Sequence, residues 1–138
     1  MKSTHCFVTD ADRRRLGSLL TNRENWAWGT RRRRLELNSL LEESSPIEPH
    51  VAPETLVTMN TTVELQDLKS ARCRVVTLVY PQDADVVPDG VSILDPLGVA
   101  LIGCRKGEVL QYSGEHGNSR LRVVKILQQP EQVGLWHL

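Results

Sequence analysis

Aromatic side chains are scarce in this sequence: three Trp, two Tyr and one Phe among 138 residues. Hydrophobic residues still make up 40%, so a core can form, but it must be aliphatic. Long apolar runs are missing too. None approaches the roughly 20 residues that a membrane span needs, and the N-terminus lacks the basic-then-apolar pattern of a secretory signal. Cysteine is limited to Cys6, Cys73 and Cys104, an odd, widely spaced set without the paired spacing of a zinc site. Reduced thiols in a cytoplasmic protein are therefore expected. There is no Ser/His/Asp arrangement and no Gly-rich phosphate loop, and His5 with Cys6 has no fourth-ligand pattern. No metal, cofactor or catalytic residue is expected.

An excess of one charge is also lacking, with 17 basic and 17 acidic residues. The balance conceals a split. Residues 1–45 carry nine Lys/Arg against six Asp/Glu, and residues 46–138 carry eight against eleven. This suggests two surfaces facing different surroundings, although ordinary solvated faces would give the same sums.

What is present reads as α+β. Thr9 or Asp10 can cap a helix running to about Leu20, with Leu16, Leu19 and Leu20 as its apolar stripe and Arg13–Arg15 towards solvent. A second helix is expected from near Thr30 to about Glu43, with Leu37, Leu40 and Leu41 inward. Together they make a short helical hairpin over residues 1–45. Three prolines in Ser44–Pro53 mark residues 46–53 as an extended linker. Residues 54–138 have strand texture, expected at Leu56–Asn60, Thr62–Leu68, Arg72–Tyr80, Val91–Leu94, Glu108–Tyr112 and Arg120–Leu127. Between the fourth and fifth of these, Asp95 stands at an N-cap position and Pro96 at the first helical position. Leu97, Ala100 and Leu101 share a face, Gly103 suits a left-handed helix stop, and Gly107 turns the chain. The hairpin order of the strands, with one short helix, points to a twisted antiparallel sheet wrapped around that helix.

Ser92, Leu94 and Pro96, followed by Ala100–Gly103 and then Gly107 and Glu108, resemble the C-terminal domain of the Gre transcript-cleavage factors. They are more similar still to the short Rnk-like branch of that family, usually labelled a regulator of nucleoside diphosphate kinase. Leu56–Asn60 and Val76–Pro81 extend the resemblance over roughly the last 85 residues. It implies an FKBP-like C-terminal fold and a grip on bacterial RNA polymerase at the rim of the secondary channel. The gripping positions it implies are Ser92, Asp95, Pro96 and Leu97, where a capped helix start would offer a small apolar knob beside a carboxylate.

The resemblance also implies a test for cleavage. Gre factors bring acidic residues at a long hairpin tip to a second catalytic magnesium. Here the tip holds Arg23, Glu24, Trp26 and Trp28, with Glu24 its one acid. Arms of 11 to 14 residues span roughly 20 Å, under half of what a Gre hairpin needs. A non-enzymatic factor that docks and competes with Gre-type factors is expected, and an active cleavage factor is the alternative. Trp26 and Trp28 fold back, touch a partner or anchor self-association, of which the last is preferred. The Arg31–Arg34 run reads mainly as a solvated, salt-bridged helix with Glu36, Glu42 and Glu43 as partners. Its Arg31 and Arg34 share a face that an acidic polymerase surface or RNA would fit. No sequence-specific DNA reading and no membrane partner are expected. The FKBP-like fold alone does not confer prolyl isomerase activity, for which the aromatic lining is too sparse.

Overall fold

The structure, a computed structural model, describes residues 7–21, 30–48, 53–114 and 117–129. The hairpin-tip residues Arg23, Glu24, Trp26 and Trp28 lie outside the described residues.

The arm begins with a strand that no alternation announced. Phe7–Thr9 (β1) runs parallel to Ser45–Ile47 (β2), with Phe7 opposite Ser45 and Val8 opposite Pro46. Pro46 is tolerated because a two-stranded ribbon consists of edges. Part of the segment expected as a tether is thus paired. Between these strands lie α1 (Asp10–Thr21) and α2 (Thr30–Glu43). Thr9 caps α1, its hydroxyl accepting the Asp12 N–H at 3.1 Å. Leu16 and Leu19 are buried on α1, Leu37 and Leu41 on α2. Arg13 does not extend to solvent as the spacing suggested. Its guanidinium donates to the Ser44 carbonyl at 3.2 Å, tying the start of α1 to the end of α2.

The main sheet has five strands: β3 (Thr62–Asp67), β4 (Cys73–Val79), β5 (Gly90–Ser92), β6 (Val109–Gly114) and β7 (Gly117–Gln128). Their order is β5-β4-β3-β7-β6, antiparallel except for the β4–β5 pair. Two register shifts between β3 and β7 interrupt the alternation of β7, which strengthens local twist. The apolar face comprises Val63 and Leu65, Val76 and Leu78, Leu110, Leu121 and Val123, all buried. Helix α3 (Pro96–Leu101) follows β5 and packs along β6.

Leu56–Asn60, expected as a strand, is irregular. Leu56 forms an isolated bridge to Arg105, Val57 exchanges backbone bonds with Gly103 and Cys104, and the Asn60 N–H donates to the Leu78 carbonyl, but no regular ladder forms. The Thr61 hydroxyl accepts the Thr58 N–H at 3.1 Å and pairs with the Thr58 hydroxyl at 2.8 Å, and Asn60 has φ 65°. That side-chain turn replaces a sheet ladder, yet Leu56, Val57 and Met59 are fully buried. One aliphatic core runs from Leu16 and Leu37 in the arm through Met59 to Leu78 and Leu101.

Candidate functional site

The Ser92–Pro96 corner is fixed by its own backbone. The Ile93 N–H donates to the Val79 carbonyl at 2.9 Å, and the Asp95 N–H to the Ser92 carbonyl at 3.0 Å. The buried Ser92 hydroxyl accepts the Leu94 N–H at 3.1 Å. Asp95 holds the N-cap position with extended backbone (φ −76°, ψ 153°), and Pro96 opens the helix. The expected cap is only half there. The Asp95 carbonyl accepts the Val99 N–H at 3.0 Å, but its carboxylate makes no capping bond and is exposed. Leu97 is only 6% exposed and belongs to the core. Half-buried Pro96 and Ala100 provide the apolar surface at this corner.

Gly98 sets how closely α3 approaches β5. A Cβ there would collide with the Ser92 carbonyl oxygen and lie 2.9 Å from the Ile93 Cα. Only glycine allows this approach. At the other end Gly103 (φ 80°) and Gly107 (φ 92°) take the left-handed conformations expected of them. Cys104 is buried, its thiol donating to the Ala100 carbonyl at 3.1 Å.

Beside Pro96 lies a groove of about 260 Å³ where three elements meet. Arg32, Arg33 and Glu36 come from α2, Pro96, Val99 and Ala100 from α3, and residues 111–113 from β6. Glu36 Oε1 accepts from Arg32 Nε at 3.2 Å and from Arg33 Nη1 at 3.1 Å. The Arg32 side chain is 79% exposed and that of Arg33 only 19%, so the second guanidinium is packed and held in place. The arginine run and the Pro96 corner are therefore brought together, but through Arg32 and Arg33. Arg31 is exposed and Arg34 half-buried, and neither lines the groove. The i, i+3 and i, i+4 spacing of Glu36 was legible. The contribution of Gln111 and Tyr112 was not, since nothing local ties β6 to α2.

Among the described residues no helix is long and apolar enough to cross a membrane. Residues 52–128 match the family described as "Transcription elongation factor, GreA/GreB, C-term". The "Regulator of nucleoside diphosphate kinase" of Escherichia coli K12 is 33% identical over 99 residues, covering 71% of this chain and 73% of that one. GreA from Syntrophobacter fumaroxidans is 29% identical over 91 residues, 66% of this chain and 58% of its own length. Among solved structures, a GreA/GreB transcription elongation factor from Nitrosomonas europaea superposes with a TM-score of 0.73. It is 31% identical, over 91% of this chain and all of that one. The family match over more than half of the chain, the relatives and the superposition agree, and the chain belongs to the GreA/GreB transcription elongation factor family.

Proposed function

We propose that this protein is a non-enzymatic factor that docks on bacterial RNA polymerase near the secondary channel and competes there with Gre-type factors without cleaving RNA. Family membership supports the docking half of this reading. The observation that carries the other half is the size of the arm. Helices α1 and α2 have 12 and 14 residues, about 18 and 21 Å at 1.5 Å per residue, and the chain has only eight residues between them. An arm of that length reaches the mouth of a channel, not a catalytic centre deep inside it.

In this reading residues 1–45 form the arm, 46–53 the connection, and 54–138 the docking module. Its contact surface is the Asp95–Pro96 corner, where an exposed carboxylate sits next to a fixed apolar ring. Ser92 and Leu97 act behind that surface, the one holding the corner and the other anchoring the helix in the core. The protein works in the cytoplasm, where polymerase is. The test is a stalled elongation complex supplied with magnesium. The expected result is saturable binding to core polymerase, no shortening of the RNA from its 3′ end, and suppression of cleavage stimulated by an added Gre factor. RNA hydrolysis by this protein, or no binding, overturns the reading.

A further inference from the structure

We propose that the groove between α2 and α3 is a second contact on the polymerase, one that takes a protein segment carrying a carboxylate beside an aliphatic side chain. This rests on the docking reading and extends it from the Asp95–Pro96 corner to the base of the arm.

The chemistry of the groove selects that occupant. Its floor at Pro96, Val99 and Ala100 is apolar and shallow, suited to an aliphatic side chain and too open to enclose a small molecule. Its wall carries two guanidiniums, and Arg33 is held by Glu36 with only 19% of its side chain exposed. A guanidinium has five donors in a rigid fork, and Glu36 engages one nitrogen of Arg33. Because the rotamer is already fixed, a carboxylate arriving from outside meets an ordered fork at little entropic cost. The Glu36 charge argues against a multiply charged phosphate, which it would repel at close range. A single carboxylate faces less repulsion. Charge complementarity with an acidic, partly aliphatic segment is the match that floor and wall make together.

Affinity of the full-length protein for core polymerase, measured at about 50 and 200 mM salt, tests this with three variants. Arg32→Glu with Arg33→Glu is expected to lose at least tenfold in affinity and to flatten the salt dependence. Gln111→Glu, on the exposed β6 rim, leaves both arginines in place and is expected to lose severalfold. Glu36→Gln removes the competing negative charge while its Oε1 still accepts from both guanidiniums, and is expected to gain severalfold, which a merely structural role would not produce. Circular dichroism and urea midpoints confirm that each variant folds. Affinities all within twofold of a wild type that does bind would overturn the proposal.

A ten-residue peptide alternating Glu and Leu, followed by amide shifts at low salt, provides a readout without polymerase. Shifts centred on Val99, Ala100 and Gln111 support the groove, and shifts elsewhere or none overturn it. A wild type that takes the peptide there but ignores polymerase sinks the docking reading and leaves the groove's chemistry standing. Micromolar binding of inorganic tripolyphosphate that the double variant abolishes would make this a phosphate site and overturn the proposal. So would self-association abolished by the same substitutions, which would identify the occupant as a second copy of this chain.

Discussion

The carboxylate of Asp12 accepts the backbone N–H of Met59 at 2.9 Å, across 47 positions of the chain. Asp12 lies in the first turn of α1 and is 1% exposed, and Met59 is fully buried. Around them the core is continuous, with Leu16 and Leu37 from the arm in the same cluster as Val57, Met59 and Leu101. On the surface the Arg105 guanidinium lies over the Phe7 ring, 5.1 Å from its centroid. The arm is therefore held at a set angle by one buried polar bond inside an apolar contact. Asp12→Ala leaves the Met59 N–H without this acceptor and is expected to cost about 1–3 kcal/mol, the range for a buried donor that loses its partner. Asp12→Asn keeps an acceptor and should cost less. Urea denaturation of both variants checks the order.

Two glycines in helices should respond with opposite signs. Gly17 sits in α1 with nothing within 4 Å of where a Cβ would be. Gly17→Ala is expected to stabilise by about 0.5–1 kcal/mol through the lower entropy of the unfolded chain. Gly98→Ala drives a methyl into the Ser92 carbonyl and the Ile93 backbone, neither of which can swing aside. It should cost about 3 kcal/mol, at the upper end of overpacking. Thermal melts of the pair suffice, and equal signs would refute the close-approach account of Gly98.

Gln129, just past β7, ties the end of that strand to the segment before β3. Its Nε2 donates to the carbonyls of Leu56 at 2.6 Å and Pro53 at 2.8 Å, and the residue is 2% exposed. Gln129→Leu fills the space but leaves both acceptors without this donor, with an expected loss of about 2 kcal/mol. Hydrogen exchange should then quicken at the Val57 amide, which is bonded to the Cys104 carbonyl, before the rest of the sheet opens.

Asp95 and Leu97 should separate binding from folding. Asp95 is exposed with no capping bond, so Asp95→Arg is expected to change stability by no more than about 0.5 kcal/mol, as surface substitutions do. It should lower polymerase affinity at least tenfold. Leu97→Ala removes a core side chain that is 6% exposed and should cost about 2–4 kcal/mol. Any loss of binding by that variant reports unfolding rather than a lost contact. A denaturation midpoint measured beside each affinity tells the two apart.

Elements that announce themselves locally were readable in the residue order. Leucine spacing placed α1 and α2, the Asp95–Pro96 pair placed the start of α3, and Gly103 and Gly107 marked turns with positive φ. What escaped depends on partners distant in the chain. β1 and β2 have three residues each and no alternation, and only their mutual pairing makes them strands. Leu56–Asn60 has the texture of a strand, but the Thr58–Thr61 hydroxyl pair bends it. The groove draws on residues between Arg32 and Ser113, and no local pattern reports such a meeting. Gly98 reads as a weak helix residue until the Ser92 carbonyl is seen against it.

The parallel β1–β2 ribbon has a consequence for how such proteins diversify. Because Val8 faces Pro46 across it, the chain leaves for the arm and comes back at one point. Lengthening both helices by whole turns would push the far end outward while leaving that junction and everything beneath it unaltered. The length of the arm can then vary separately from the sheet and the α3 corner, so descendants with longer or shorter arms need not rebuild either.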